Sequence, residues 1–187
     1  LWRFTPETRP FCRALRLLPF DFATWYQLVS ETPNASAARY LEAIIQGSAI
    51  DQFHQREIER MSQSVLRMPA LVRGEPVDAL QAQRHGQTII TDGDLSWLAT
   101  PGIAINANAL FASDLGNSLA EQSGSYGLIW QLSGDGEIKA SLRSKGKTLD
   151  VATIASRYGG GGHTNASGFR MPAQQFFSEV LNLSPKA

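Results

Sequence analysis

The sequence predicts an α/β protein in two parts, a helical connector over residues 1–67 and a mixed β-sheet domain flanked by helices over residues 68–187. Three observations carry this reading. Apolar residues recur at helical spacing up to residue 68. From Met68 onward, Pro69, Gly74, Pro76, Gly86, Gly93 and Pro101 break the chain into strand-length pieces. The stretches 125–132 and 137–144 flank Ser133-Gly134-Asp135-Gly136, a sequence suited to a tight hairpin turn. With 187 residues, 43% apolar and 18% charged, the composition is that of an ordinary globular chain with room for one sizeable core.

The elements follow in order. Thr5-Pro6 and Pro10 place a first helix over 9–18, with Phe11, Ala14, Leu15 and Leu18 on one face and Pro19 ending it. Asp21 is suited to cap a second helix carrying Trp25, Leu28 and Val29. Thr32-Pro33 reads as the N-cap and first position of a longer helix to about residue 66. There Tyr40, Leu41, Ile44, Ile45, Phe53, Ile58, Met61 and Val65 keep roughly a helical period, and Gly47-Ser48 marks a bend. Core packing is the expected task of the aromatic residues. In the second part, 77–84 alternates weakly, 95–99 and 103–106 are stronger strand candidates, and 109–122 reads as a helix begun by Ser113 or Asp114. After the hairpin, Asp150 caps a short helix to residue 158, 169–171 is a last strand, and Pro172 begins a terminal helix through residue 181. No internal repeat interrupts this order.

The chemistry concentrates in SLRSKGKTLDVATIASRYGGGGHTNASG, residues 141–168. Gly159, Gly160, Gly161 and Gly162 follow the short helix and precede His163. One glycine suffices to end a helix; four exceed what a cap needs, because each adds unfolded-chain freedom that folding must remove. Backbone N–H groups in such a loop are suited to converge on an anion. Ser141, Arg143 and Ser144 end the second hairpin strand and offer hydroxyl and guanidinium donors for phosphate oxygens, with His163 adding an imidazole. Taken alone, Arg143 suits a solvated strand end equally well. Asn165 and Ser167 suit either a ribose or base contact or the turn that holds them. His54, in a charged helical run, and His85, in a polar segment before Gly86, are expected at the surface.

SLRS followed by LDVATIASRYGGGGHTNASGF resembles the C-terminal signature of the DHH phosphoesterase superfamily, in its DHH-associated (DHHA) domain. Upstream, NANALFASDLGNSLAEQSGSYGLIW resembles the Asn-then-Ser-x-Leu-Gly-Asn segment of the oligoribonuclease and cyclic-nucleotide phosphodiesterase branch. That match adds Asn106, Asp114 and Asn117 as second-rank candidates. Leu1-Trp2-Arg3 before PETRPF resembles the place where that branch carries Asp-Arg-Asp-Leu-Trp and then a Pro-led helix, so the sequence is expected to start just after the family's last metal-binding aspartate. The resemblance implies a DHHA-type substrate-binding domain over 68–187. It also implies a separate N-terminal domain of the same protein, in which an Asp-His-His motif and further aspartates bind a pair of metal ions, usually manganese, and activate water. The three histidines of this sequence, His54, His85 and His163, are scattered, and none stands in an acidic cluster with ligand spacing. Catalytic residues, metal site and cofactor are therefore expected in that other domain, and this fragment alone is expected to be inactive.

The function implied is that of the substrate-binding half of a metal-dependent phosphodiesterase acting on short oligonucleotides, dinucleotides or cyclic nucleotides, with nucleotide phosphate held by the glycine-rich loop. A non-catalytic nucleotide-binding regulatory module and a structural or dimerisation domain are the other readings. A scaffold needs neither Arg143 nor His163. Seventeen basic and 17 acidic residues give a net charge of zero, which argues against tight binding to long nucleic acid and leaves a local patch for a short one. The one cysteine, Cys12, precludes an internal disulfide and suits a cytoplasmic location. No apolar run is long enough to span a bilayer, so no membrane partner is expected, and a homodimer stays open.

Overall fold

A computed structural model of the chain describes residues 5–30, 33–146 and 149–181. The expected cap at Thr32 and the resemblance at Leu1-Trp2-Arg3 lie outside these residues. The chain divides into two compact units, Leu1–Glu57 and Ile58–Ala187.

The first unit is helical. It holds α1 (Thr8–Leu15), α2 (Phe22–Ser30) and most of α3 (Pro33–Ser62). Asp21 caps α2 as expected, its Oδ1 accepting the Thr24 N–H at 2.8 Å. α3 runs on through Gly47, where a Cβ would lie 1.8 Å from the Pro10 carbonyl oxygen. Gly47 thus permits the close approach of α1, and the Arg13 Nε–H donates to Asp51 Oδ1 at 3.0 Å beside it. The expected surface position of His54 is not what the structure shows: His54 is 3% exposed. Ala43, Gly47, His54, Ile58 and Ser62 are all buried, and their spacings of four and seven residues draw one stripe along the helix. Tyr40, Leu41, Ile45 and Phe53, which the helical period suggested for a core, are exposed instead. His85 is exposed, as expected.

The second unit is α/β. Among the described residues, seven strands form one mixed sheet: β1 (Met68–Pro76), β2 (Ile89–Asp92), β3 (Leu95–Asn106), β4 (Tyr126–Leu132), β5 (Glu137–Ser144), β6 (Gly161–His163) and β7 (Ala166–Pro172). Their order is β1-β3-β4-β5-β7-β6, with β2 pairing on β3; β3 and β4 run parallel and the other pairs antiparallel. The hairpin read from the Asp-Gly turn is present as β4 and β5. The two expected strands 95–99 and 103–106 are a single strand, because Pro101 and Gly102 continue the pairing with β1. The weak alternation over 77–84 belongs to α4 (Ala79–Arg84), capped by Asp78, whose carboxylate accepts the Gln81 N–H at 2.9 Å.

Helices cover the sheet unequally. On one face, α6 (Val151–Ser156) and the C-terminal segment, α7 (Ala173–Gln175) continuing as a wider π-type turn over Phe176–Val180, pack on Val72, Leu128, Trp130, Ile138, Leu142 and Phe169. On the other, a short 3-10 turn leads into α5 (Ala112–Ser123), whose Leu115 and Leu119 pack on Ile105 and Ile129. A Cβ at Gly127 would lie 2.2 Å from the Gly116 carbonyl oxygen, so Gly127 lets α5 lie directly on β4. From β5 outward this second face carries exposed residues: Lys139, Gly161, His163 and Arg170.

Candidate functional site

The alternation of β5 sorts the candidates by face. Ile138, Ala140, Leu142 and Ser144 point to the α6 side and are buried, whereas Lys139, Ser141 and Arg143 point to the partly open side. The pairing of β5 with β7 and of β7 with β6 then sets Arg143, Ala166 and His163 in one cross-strand row, and Ser141, Gly168 and Gly161 in the next. Two strand spacings separate Arg143 from His163, about 10 Å between backbones. The fold therefore brings Ser141, Arg143, Gly161 and His163 onto a single surface.

Arg143 is held from the α5 side. Its aliphatic stem runs over Gly116, where a Cβ would lie 2.7 Å from Arg143 Cγ. Nη1 donates to the Leu142 carbonyl at 2.8 Å and Nη2 to Ser113 Oγ at 3.1 Å. Burial pushes the guanidinium pKa down from its usual value, yet an arginine stays charged in a protein and keeps donors beyond the two engaged here. The His163 side chain is exposed and makes no hydrogen bond or ion pair among the described residues; the Ser141 hydroxyl, on a half-buried residue, makes none among them either.

Ser144 and Asn165 are differently employed. Ser144 is 4% exposed; its hydroxyl donates to the Leu149 carbonyl at 2.9 Å, with the Thr164 carbonyl at 3.3 Å, and accepts from Asn165 Nδ2 at 3.0 Å. Asn165 Nδ2 also donates to the Gly146 carbonyl at 2.9 Å. Together they tie the end of β5 to the turn between β6 and β7. The Ser167 hydroxyl donates to the Val151 carbonyl at 2.6 Å, and Asn106 Nδ2 to the Trp130 carbonyl at 3.0 Å. Asp114 is half-buried in the first turn of α5, and Asn117 is exposed on that helix.

The glycine run is partly strand. Asp150 caps α6 through the Ala152 N–H at 2.9 Å, and Gly159, at φ +73°, ends that helical stretch as a left-handed residue. The N–H groups of Gly159 and Gly160 donate back to the Ser156 and Ala155 carbonyls. A Cβ at Gly160 would lie 2.1 Å from the Gly168 carbonyl oxygen, and one at Gly162, where φ is +147°, 2.5 Å from the Ala166 carbonyl oxygen. Gly161 has neither constraint: its added Cβ would meet nothing within 4 Å.

Three further residues were not read from the sequence. Lys139 and Arg170 stand opposite each other on β5 and β7 and, with Gly159, Gly160, Gly168 and Phe169, line a cleft of about 440 Å³. The alternation of β5 outward from Arg143 is the signal that points to Lys139. Arg73, 7% exposed, lies over the Trp97 ring at 4.7 Å and the Tyr158 ring at 5.1 Å and pairs with Asp92 and Glu179 at 3.0 Å; it serves the fold. The manganese that the resemblance implies finds no donor set here, since no group of three His, Cys, Asp or Glu side chains comes together among the described residues.

Residues 105–184 match the DHHA1 domain family. Over 61 residues the chain is 46% identical to uncharacterized protein R106 of Acanthamoeba polyphaga mimivirus, a stretch covering 31% of this chain and 14% of that protein. Over 78 residues it is 37% identical to oligoribonuclease NrnB of Bacillus subtilis strain 168, covering 40% of this chain and 19% of that one. The solved pGpG-specific phosphodiesterase PggH from Vibrio cholerae superposes with a TM-score of 0.35 at 13% identity, over 90% of this chain and 53% of that chain. The matched stretches thus span less than a fifth of the two sequence relatives.

Proposed function

We propose, from the match of residues 105–184 to the DHHA1 domain family, that this chain is the DHH-associated C-terminal region of a DHH phosphoesterase and the half of it that grips a nucleotide phosphate. The ligand class is a short oligonucleotide, a dinucleotide or a cyclic nucleotide, in keeping with the oligoribonuclease among its relatives. Cleavage belongs to a DHH domain of the same protein, with manganese, and these residues alone hydrolyse nothing.

The observation that carries this reading is the cross-strand row ending in Arg143 and His163 on a sheet face that offers no carboxylate in the same row. Charge-assisted hydrogen bonds from these two side chains to phosphate oxygens contribute roughly 1.5–3 kcal/mol each where water is partly excluded. Gly161 adds a backbone that a ligand can approach without meeting a side chain. A net charge of zero confines the attraction to this patch.

An architectural reading draws support from Ser144 and Asn165, whose polar groups bond to the fold itself. It leaves His163, Ser141 and Gly161 without a task. Calorimetric titration with a 5′-phosphorylated dinucleotide distinguishes the two. Arg143→Ala and His163→Ala should each weaken binding by about tenfold or more; affinity unchanged in both variants would overturn the proposal.

A further inference from the structure

We propose that Lys139 and Arg170 form a second anion subsite on the same sheet face, and that the chain thereby selects ligands carrying two phosphates over nucleoside monophosphates. The inference rests on the reading of Arg143 and His163 as the first phosphate subsite and adds what that subsite cannot discriminate alone.

Three cross-strand rows define the surface. The first joins Gly127, Arg143, Ala166 and His163; the second Ile129, Ser141, Gly168 and Gly161; the third Gln131, Lys139 and Arg170. From β5 to β6 the middle row presents no side chain larger than a hydroxymethyl group. It is a floor of backbone about 10 Å wide, with positive groups along both sides. Arg143 and Lys139 are four residues apart on one strand, about 13 Å between Cα atoms, which a single phosphate does not bridge. A nucleoside lying on the floor fits between them.

Lys139 and Arg170 are directly opposite in an antiparallel pair, and like charges so placed repel each other. The fold offsets this only in part. Arg170 reaches Glu137 at 3.6 Å and Asp135 at 3.9 Å, long contacts between exposed groups that contribute little. Lys139 makes no hydrogen bond or ion pair among the described residues, and its register neighbour on β4 is the uncharged Gln131. A bound phosphate would relieve the repulsion. The cleft of about 440 Å³ lined by these two residues and by Gly159, Gly160 and Gly168 gives it space beside exposed backbone.

The test is an amide NMR titration of the chain with a nucleoside 5′-monophosphate and with the corresponding 5′-phosphorylated dinucleotide, which also reports that each variant is folded. The dinucleotide should bind about tenfold or more tightly than the mononucleotide, and should shift the amides around Lys139 and Arg170 as well as those of Gly161 and His163. In Lys139→Glu and in Arg170→Glu the two ligands should bind alike, whereas a charge reversal at the exposed Arg84 should keep the preference. Survival of the preference in both charge reversals overturns the second subsite, as does its absence from the parent. If the parent binds both ligands equally and His163→Ala abolishes that binding, only the second subsite falls. If the parent binds neither, the reading of the first subsite falls with it.

Discussion

Between Gly159 and Gly162 the backbone meets different demands at successive residues. Gly159 turns left-handed to leave α6, Gly160 and Gly162 press against β7 where a Cβ has no room, and Gly161 does none of this. Substitution should separate these tasks. Gly160→Ala and Gly162→Ala should each lose roughly 1–3 kcal/mol in urea denaturation, because backbone and not a flexible side chain blocks the new methyl group. Gly161→Ala should stay within about 0.5 kcal/mol of the parent, as exposed sites do, and yet bind a phosphorylated dinucleotide more weakly. Unchanged binding in Gly161→Ala would return the whole run to architecture. The glycine count was legible as an excess over a helix cap. Which glycine has open space beside it was not, because that depends on how closely β7 passes.

At the scale of elements, the helix α6 and the strands around it are joined by side chains that the sequence offered equally for a ligand. The Ser144 hydroxyl bonds to two carbonyls and accepts from Asn165, closing the segment between β5 and α6 onto the turn before β7. Ser144→Ala removes a buried hydroxyl and its bonds to half-buried and exposed partners, at a cost of about 0.5–1.5 kcal/mol. Amide hydrogen exchange should accelerate at Val151, whose N–H donates to the Thr164 carbonyl across this junction, and an unaltered exchange pattern would contradict the assigned role. The hairpin β4–β5 was readable because its turn is local chemistry. β1 was hidden because Pro69, Gly74 and Pro76 read as breaks, although Gly74 stands in the strand where a Cβ would lie 2.1 Å from Thr100 Oγ1. β6 was hidden because glycines carry no strand propensity, and only pairing with β7 makes them a strand.

For the molecule as a whole, the sheet core sets the response to alkali. Tyr126 is fully buried beneath Gly102, and its hydroxyl finds no hydrogen-bond partner among the described residues. Burial, with a smaller contribution from Tyr158, pushes its pKa well above the usual tyrosine value. The unfolded chain therefore loses that proton first as pH rises past about 10. The stability tied to Tyr126 is complete below that pH and falls above it, up to the raised folded-state value. Tyr126→Phe should be neutral or stabilising by up to about 1 kcal/mol near neutral pH. In urea denaturation at about pH 8 and about pH 10.5 it should lose less stability with alkali than the parent. An equal loss in both proteins would mean that other groups govern the alkaline limb.

Hydrophobic period, the Asp-Gly turn, the capping aspartates Asp21 and Asp150 and the 141–168 motif were determined by sequence alone, because each depends on residues close together along the chain. The motif also carried the resemblance to the DHHA domain. Tertiary structure decided the rest. Register across β5, β7 and β6 placed Arg143 in one row with His163 and Lys139 opposite Arg170, and turned Ser144 inward to the core side of the same strand that carries Ser141 outward. Those outcomes depend on which strands become neighbours and at what offset, and in a β-sheet a shift of one residue exchanges the two faces.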